Sequence, residues 1–143
     1  MAVIDRLAEV RAYYYFRKQG MTHEGAIGAI DNLEAESDGF YLDRVEYLCL
    51  NRLKAAGKNY TKETYTADVD SGKISYDEFL HPLPGKQYGY GYAQWTSPGR
   101  KEILYKWAKE RGVSIADEML QLEYLIWELK NKYQHVWKVL TTA

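Results

Sequence analysis

Apolar residues recur at three-to-four spacing in four separate stretches of this chain, and a glycine closes each stretch. Punctuation of that kind leaves little besides a packed set of helices, because a glycine just past the last turn is the common helix terminator. The first stretch runs from about Val3 to Gln19 on Ile4, Leu7, Val10, Tyr14 and Tyr15, with Gly20 behind it. The second opens on Thr22 as N-cap, carries a stripe of Ala26, Ile27, Ala29, Ile30 and Leu33, ends near Ser37 and stops at Gly39. After a loop from Phe40, a third bears Val45, Leu48 and Cys49, reaches Ala56 and stops at Gly57. The fourth begins with Ser97 as cap and Pro98 at the first helical position, and its Ile103, Leu104, Trp107 and Ala108 lead to Gly112.

Two further segments share the period. Ser114 and Asp117 form a capping pair that opens a long helix through Met119, Leu122, Leu125, Ile126 and Leu129. Val136 to Leu140 repeats the spacing and meets Ala143 with no cap, which predicts a C-terminus trimmed inside a helix. Thr61 to Phe79 reads differently: Tyr65, Ala67 and Val69 alternate with polar residues, Asp70-Ser71-Gly72 is a turn, and Ile74 and Tyr76 alternate again. A short hairpin is expected there, with a helical turn as rival. The whole, residues 1–143, is thus expected to be a single, mainly α domain with a small hairpin or irregular region.

The 143 residues suffice for one core, since such a domain buries roughly 68–70% of the surface its unfolded chain exposes. Cys49 is the sole cysteine, so no internal disulfide and no CxxC metal site can form, and packing alone must hold the fold. In its apolar run Cys49 reads as a small buried hydrophobe. The 19 basic and 20 acidic residues nearly cancel, so no general field gathers nucleic acid. No apolar run reaches the ~18 residues of a membrane span, and Asp5 and Glu9 interrupt the stretch where a signal peptide would need an apolar core. A monomer without membrane insertion is expected, either exported by other means or forming part of a larger protein. Fourteen tyrosines and four tryptophans stand against three phenylalanines. Rings with a polar handle suit a surface that stacks on hydroxyl-rich ligands, and they equally suit the boundary of a core.

Several chemistries fall away. From Gly72 onward the chain matches the second half of a calcium loop, but the first, third and fifth ligand positions fall on Ala67, Val69 and Ser71, with Asp68 and Asp70 one residue out of register. His23, His81 and His135 are far apart, and none has a partner at metal-ligand spacing. No metal or cofactor is expected. GxSxG, phosphate-loop and HExxH motifs are absent, and Cys49 lacks the surroundings of a papain-like nucleophile.

Carboxylates and aromatics remain. The stretch Asn32 to Gly39 holds Glu34, Glu36 and Asp38. On an ideal helix Glu34 and Glu36 flank the apolar stripe about a quarter-turn off on opposite sides, so periodicity does not choose between them. Axial position does separate them: Glu36 lies in the last turn, where unsatisfied carbonyls disfavour a negative charge. Shielding of that end by tyrosines and tryptophans would disfavour it further. A carboxyl that keeps its proton is what glycosidic cleavage needs, because the leaving oxygen must receive one. Acidic residues also end helices for solubility alone, and the residues by themselves leave both readings open.

Two motifs read together carry a resemblance: Ala35-Glu36-Ser37 at the end of an apolar helix, and Tyr88-Gly89-Tyr90-Gly91-Tyr92-Ala93-Gln94-Trp95-Thr96 some fifty residues later. The pair resembles the phage tail lysozyme family, peptidoglycan-cleaving domains of phage endolysins, tail proteins and cell-wall hydrolases of conjugative elements. The order of a Glu-Ser helix end followed by a Gly-x-x-Gln segment is similar to the wider lysozyme superfamily. Many members of the family have glycine where this chain has Asp38, with Gly39 one place later. The resemblance implies a lysozyme-like α+β fold, and a muramidase with Glu36 as general acid acting on peptidoglycan glycan strands at the bacterial cell wall, in a virion or after release. It implies a cleft bounded by Tyr88, Tyr90, Gln94, Trp95 and Thr96 as sugar-binding residues. Asp70 or Asp68, at the expected hairpin turn, would face the acid and orient a water. A lytic transglycosylase, or a wall-binding or tail module without turnover, are the alternatives.

Overall fold

The computed structural model describes residues 6–37 and 39–143, without the side chains of Arg6, Tyr47 and Leu48. Its described residues form eight helices: α1 (Arg6–Gln19), α2 (His23–Glu36), α3 (Tyr47–Ala55), α4 (Tyr65–Ser71), α5 (Tyr76–Leu80), α6 (Pro98–Arg111), α7 (Glu118–Asn131) and α8 (Gln134–Thr142). The fold is mainly helical, with only isolated β-bridges among those residues, Val45 with Tyr90, Leu83 with Lys86 and Tyr90 with Trp95.

The caps read from sequence form where local chemistry directs. Thr22 accepts from the Gly25 N–H at 2.9 Å at the head of α2, and Ser97 caps α6 ahead of Pro98. The Ser114–Asp117 pair divides instead. Asp117 is the N-cap of α7 and accepts from Leu120 N–H at 3.0 Å, so the helix starts at Glu118, later than the capping pair suggests.

The hairpin expected over residues 61–79 is not formed. Tyr65 and Val69 are buried while Ala67 is exposed, which is the i, i+4 face of a helix rather than the i, i+2 face of a strand. Three residues are too few to separate the two periods. Gly72, at φ 87°, ends α4, Ile74 N–H closes back onto Asp68 O at 2.9 Å, and Ser75 caps α5.

Two buried clusters make the core. One gathers α3 to α6 and one face of α7, with Val45, Cys49, Leu53, Tyr65, Val69, Phe79, Trp95, Leu104 and Tyr124 among its members. The other gathers α1, α2 and α7 around Phe16, Ile30, Leu33, Phe40, Tyr92 and Ile126, with Trp137 and Leu140 of α8 packed against it. They meet at Ala93 and Leu125, which touch both. α8 docks closely on the start of α2: Thr22 N–H donates to Leu140 O at 3.0 Å. A Cβ at Gly25 would fall 2.0 Å from that same oxygen.

Lys101 on α6 is buried at 2% exposure. Its Nζ donates to Phe79 O at 3.1 Å and lies 4.9 Å over the Phe79 ring. Burial pushes its pKa down to about 8, while burial pushes the Cys49 thiol up to about 11. The unfolded chain therefore binds the lysine proton more tightly than the folded one, and stability rises with pH above about 8. Above about 9 the unfolded chain loses the thiol proton that folded Cys49 keeps, and this opposes the rise. Urea titrations should show a gain of about 1 kcal/mol between pH 8 and 9. Lys101→Met should remove that gain; a variant that keeps it would place the titration elsewhere.

Candidate active site

Glu36 is the last residue of α2, and its side chain is exposed. The aromatic shielding considered for it is not formed. What the fold builds instead is a rigid mount immediately behind it. Ser37, fully buried, donates from Oγ to Leu33 O at 2.8 Å and accepts from Tyr41 N–H at 2.9 Å. Gly39 N–H takes Glu34 O at 2.9 Å. Arg44 Nε donates to Ser37 O at 2.9 Å. The Leu33 and Glu34 carbonyls, two of those a helix C-terminus leaves unsatisfied, are thus held by named partners. Phe40 adopts φ 67°, a conformation costing roughly 1–2 kcal/mol for a residue with a Cβ. It is sustained by burial of the ring, 4.4 Å from that of Tyr92.

The same Arg44 joins the two sequence motifs. Its backbone carbonyl accepts from Gly91 N–H at 2.9 Å and from the Gln94 side-chain amide at 3.0 Å. Gln94 Nε2 also donates to Gly91 O at 2.8 Å, and Tyr90 and Trp95 exchange backbone hydrogen bonds of 3.0 and 2.9 Å across the turn. Glu46 N–H adds a bond to Gly89 O at 2.9 Å. The end of α2 and the turn 90–95 are therefore fastened through one loop, residues 40–46. From the α7 side, Gln121 accepts from Tyr92 N–H at 3.0 Å and donates to Leu42 O at 2.7 Å.

Most of the aromatic residues expected to bind sugar face inward. Tyr88, Tyr90 and Trp95 are buried to 2%, 1% and 0% exposure. The Tyr88 hydroxyl accepts from Arg52 at 3.3 Å. That of Tyr90 pairs with Thr66 Oγ1, and burial holds its pKa well above the usual phenol range. Trp95 Nε1 donates to Glu128 Oε1 at 2.7 Å, and its ring stacks on Tyr124 at 5.0 Å. These rings hold the turn rather than offering a face to a ligand. Gln94 and Thr96 are half-buried, and Thr96 Oγ1 donates to Gln94 O at 2.8 Å.

Asp70 is likewise engaged elsewhere. Its carboxylate accepts from Ser114 Oγ and from Ile115 N–H at 3.0 Å, tying α4 to the link between α6 and α7. Asp68 lies in α4, its carbonyl taken by Ile74 N–H. We expect Asp70→Ala to lower stability by about 1–3 kcal/mol and to leave cell-wall cleavage per folded molecule within about twofold of the parent. Paired urea and turnover measurements check both halves.

Two concavities open beside the loop. One, of about 230 Å3, is bordered by Tyr41, Asp43, Arg44, Val45, Lys62 and Glu63. The other, of about 350 Å3, has Arg11, Leu42, Thr66, Tyr92 and Glu118 on its walls and shares Tyr41 and Asp43 with the first. Arg11 and Glu118 form a forked ion pair, with Nε–Oε2 at 2.8 Å and Nη2–Oε1 at 2.9 Å. No group of three or more His, Cys, Asp or Glu side chains that could hold a metal is present among the described residues. Tyr41, Asp43 and Arg44 escaped sequence reasoning because they sit in an aperiodic loop; their nearness to the Glu-Ser motif was the one available signal.

The chain thus combines a mainly helical fold with a glutamate exposed at the end of α2 and two concavities along the loop that follows it. A family model described as phage tail lysozyme matches residues 8–143, and the chain belongs to that family. Membership points to peptidoglycan hydrolysis of the lysozyme type and fits a virion or cell-wall-acting protein. No curated protein and no solved structure matches the chain. Among the described residues no helix is long and apolar enough to cross a membrane.

Proposed function

We propose that the chain is a muramidase, hydrolysing the β-1,4 bond between N-acetylmuramic acid and N-acetylglucosamine with Glu36 as general acid. The observation that carries this is the clamp from Ser37 through Arg44 to Gly91 and Gln94. It fixes the backbone at the end of α2 that carries the exposed Glu36 side chain, and a set point of attachment favours proton delivery to a bound bond. In the reaction Glu36 gives its proton to the leaving glucosamine oxygen as the glycosidic bond breaks. Water adds to the anomeric carbon of the muramic sugar, and its surplus proton leaves with a base.

The engagement of Asp70 by Ser114 and Ile115 supports a second reading. Without Asp70 to orient water, the muramic C6 hydroxyl can attack the anomeric carbon instead, giving the anhydro sugar of a lytic transglycosylase. Mass spectrometry of digested peptidoglycan separates the two. Fragments ending in reducing muramic acid are expected; anhydro-muramic ends would establish the second reading. Absence of any cleavage would leave a wall-binding or tail module.

A further inference from the structure

We infer that Tyr41 is the aromatic platform of the glycan-binding groove and Asp43 its hydrogen-bond acceptor, an assignment that rests on the muramidase reading. The two concavities share these two residues, so a strand crossing from one to the other passes over both. Of the rings bordering the groove, Phe40 and Tyr92 are buried at 2%, while Tyr41 is half-buried.

Tyr41 is also held in place from several sides. Its N–H is fixed by Ser37 Oγ at 2.9 Å, one residue from the proposed acid. The Arg44 guanidinium lies 4.9 Å from its ring centroid. A Cβ at Gly39 would fall 2.6 Å from ring atom Cε2, so the chain passes against the ring where only glycine fits. A ring set in place before binding loses little freedom when a sugar face packs on it. Asp43 is exposed beside it, and a carboxylate there accepts from sugar hydroxyls or an acetamido N–H. Thr66 and Lys62, one in each concavity, add polar partners for hydroxyls beside the apolar part of the lining.

Co-sedimentation with purified peptidoglycan tests this on the full chain carrying Glu36→Gln, so that turnover does not consume the ligand. Adding Tyr41→Ala is expected to weaken binding roughly tenfold, and Tyr41→Trp to restore most of it, with the urea midpoint of each variant measured alongside. Equal loss in the alanine and tryptophan variants would assign the effect to the loop and overturn the proposal. Undiminished binding in Tyr41→Ala would overturn it too, while leaving the muramidase reading intact. If the Glu36→Gln chain does not sediment and the parent releases no fragments, the muramidase reading falls and the platform with it.

Discussion

Glu36→Gln is expected to slow release of peptidoglycan fragments by about a hundred- to ten-thousandfold, the usual contribution of a positioned proton donor. The amide keeps the shape of the side chain and removes only the transferable proton. Because Glu36 is exposed at the helix end, the fold should not register the change, and the urea midpoint should stay within about 0.5 kcal/mol of the parent. Glu34→Gln is the internal control: Glu34 is half-buried on the other flank of α2, and its bond to Gly39 uses only the backbone oxygen. Its turnover should remain close to the parent value. Unchanged fragment release from Glu36→Gln would sink the acid assignment whatever the stability of the variant.

The second large effect is structural. Glu128 is buried at 3%. It accepts from the Trp95 indole at 2.7 Å and from Arg100 through Nε and Nη2, each at 2.9 Å. Glu128→Ala leaves a buried indole N–H and a guanidinium without their acceptor. Breaking a buried ion pair on one side commonly costs about 3–5 kcal/mol. The Arg100 side chain is 33% exposed and can turn toward water, which puts the loss near ~3 kcal/mol, a large share of a stability of about 5–15 kcal/mol. Glu128→Gln can keep an acceptor oxygen for the indole and Arg100 Nη2 but loses the charge and sets an amide donor where Oε2 accepted from Arg100 Nε, so a loss of about half to all of alanine's is expected. Urea unfolding of the two variants measures the difference. Alanine and glutamine variants both within about 0.5 kcal/mol of the parent would show that the network contributes nothing net. Since Trp95 anchors the turn that receives Arg44, the alanine variant should also lose turnover, as a consequence of the loosened turn.

Helix limits were legible in the sequence because what sets them is local. Thr22, Ser97, Gly20 and Gly112 act on backbone groups within one turn, and the stripe on α2 needs only the helical period. The segment at 61–79 was not legible, because tyrosine and valine four apart in a short run fit a strand and a helix alike until burial shows which face is covered.

The site divides along the same line. The order and spacing of Glu36-Ser37 and the Tyr88 to Thr96 segment were plain in the residues, and with them the family and the general chemistry. Which rings face the groove was not, since a tyrosine or tryptophan suits a core as well as a sugar. Asp70 finds its partners 44 and 45 residues away, and Trp95 finds Glu128 33 residues on. Contacts at such separations are set by how helices pack, and no local pattern encodes them. The sequence by itself determined a mainly helical lysozyme relative with a glutamate at a helix end; only the tertiary structure decided that Tyr88, Tyr90 and Trp95 are buried while Tyr41 and Asp43 border the two concavities, because burial is a property of the packed chain.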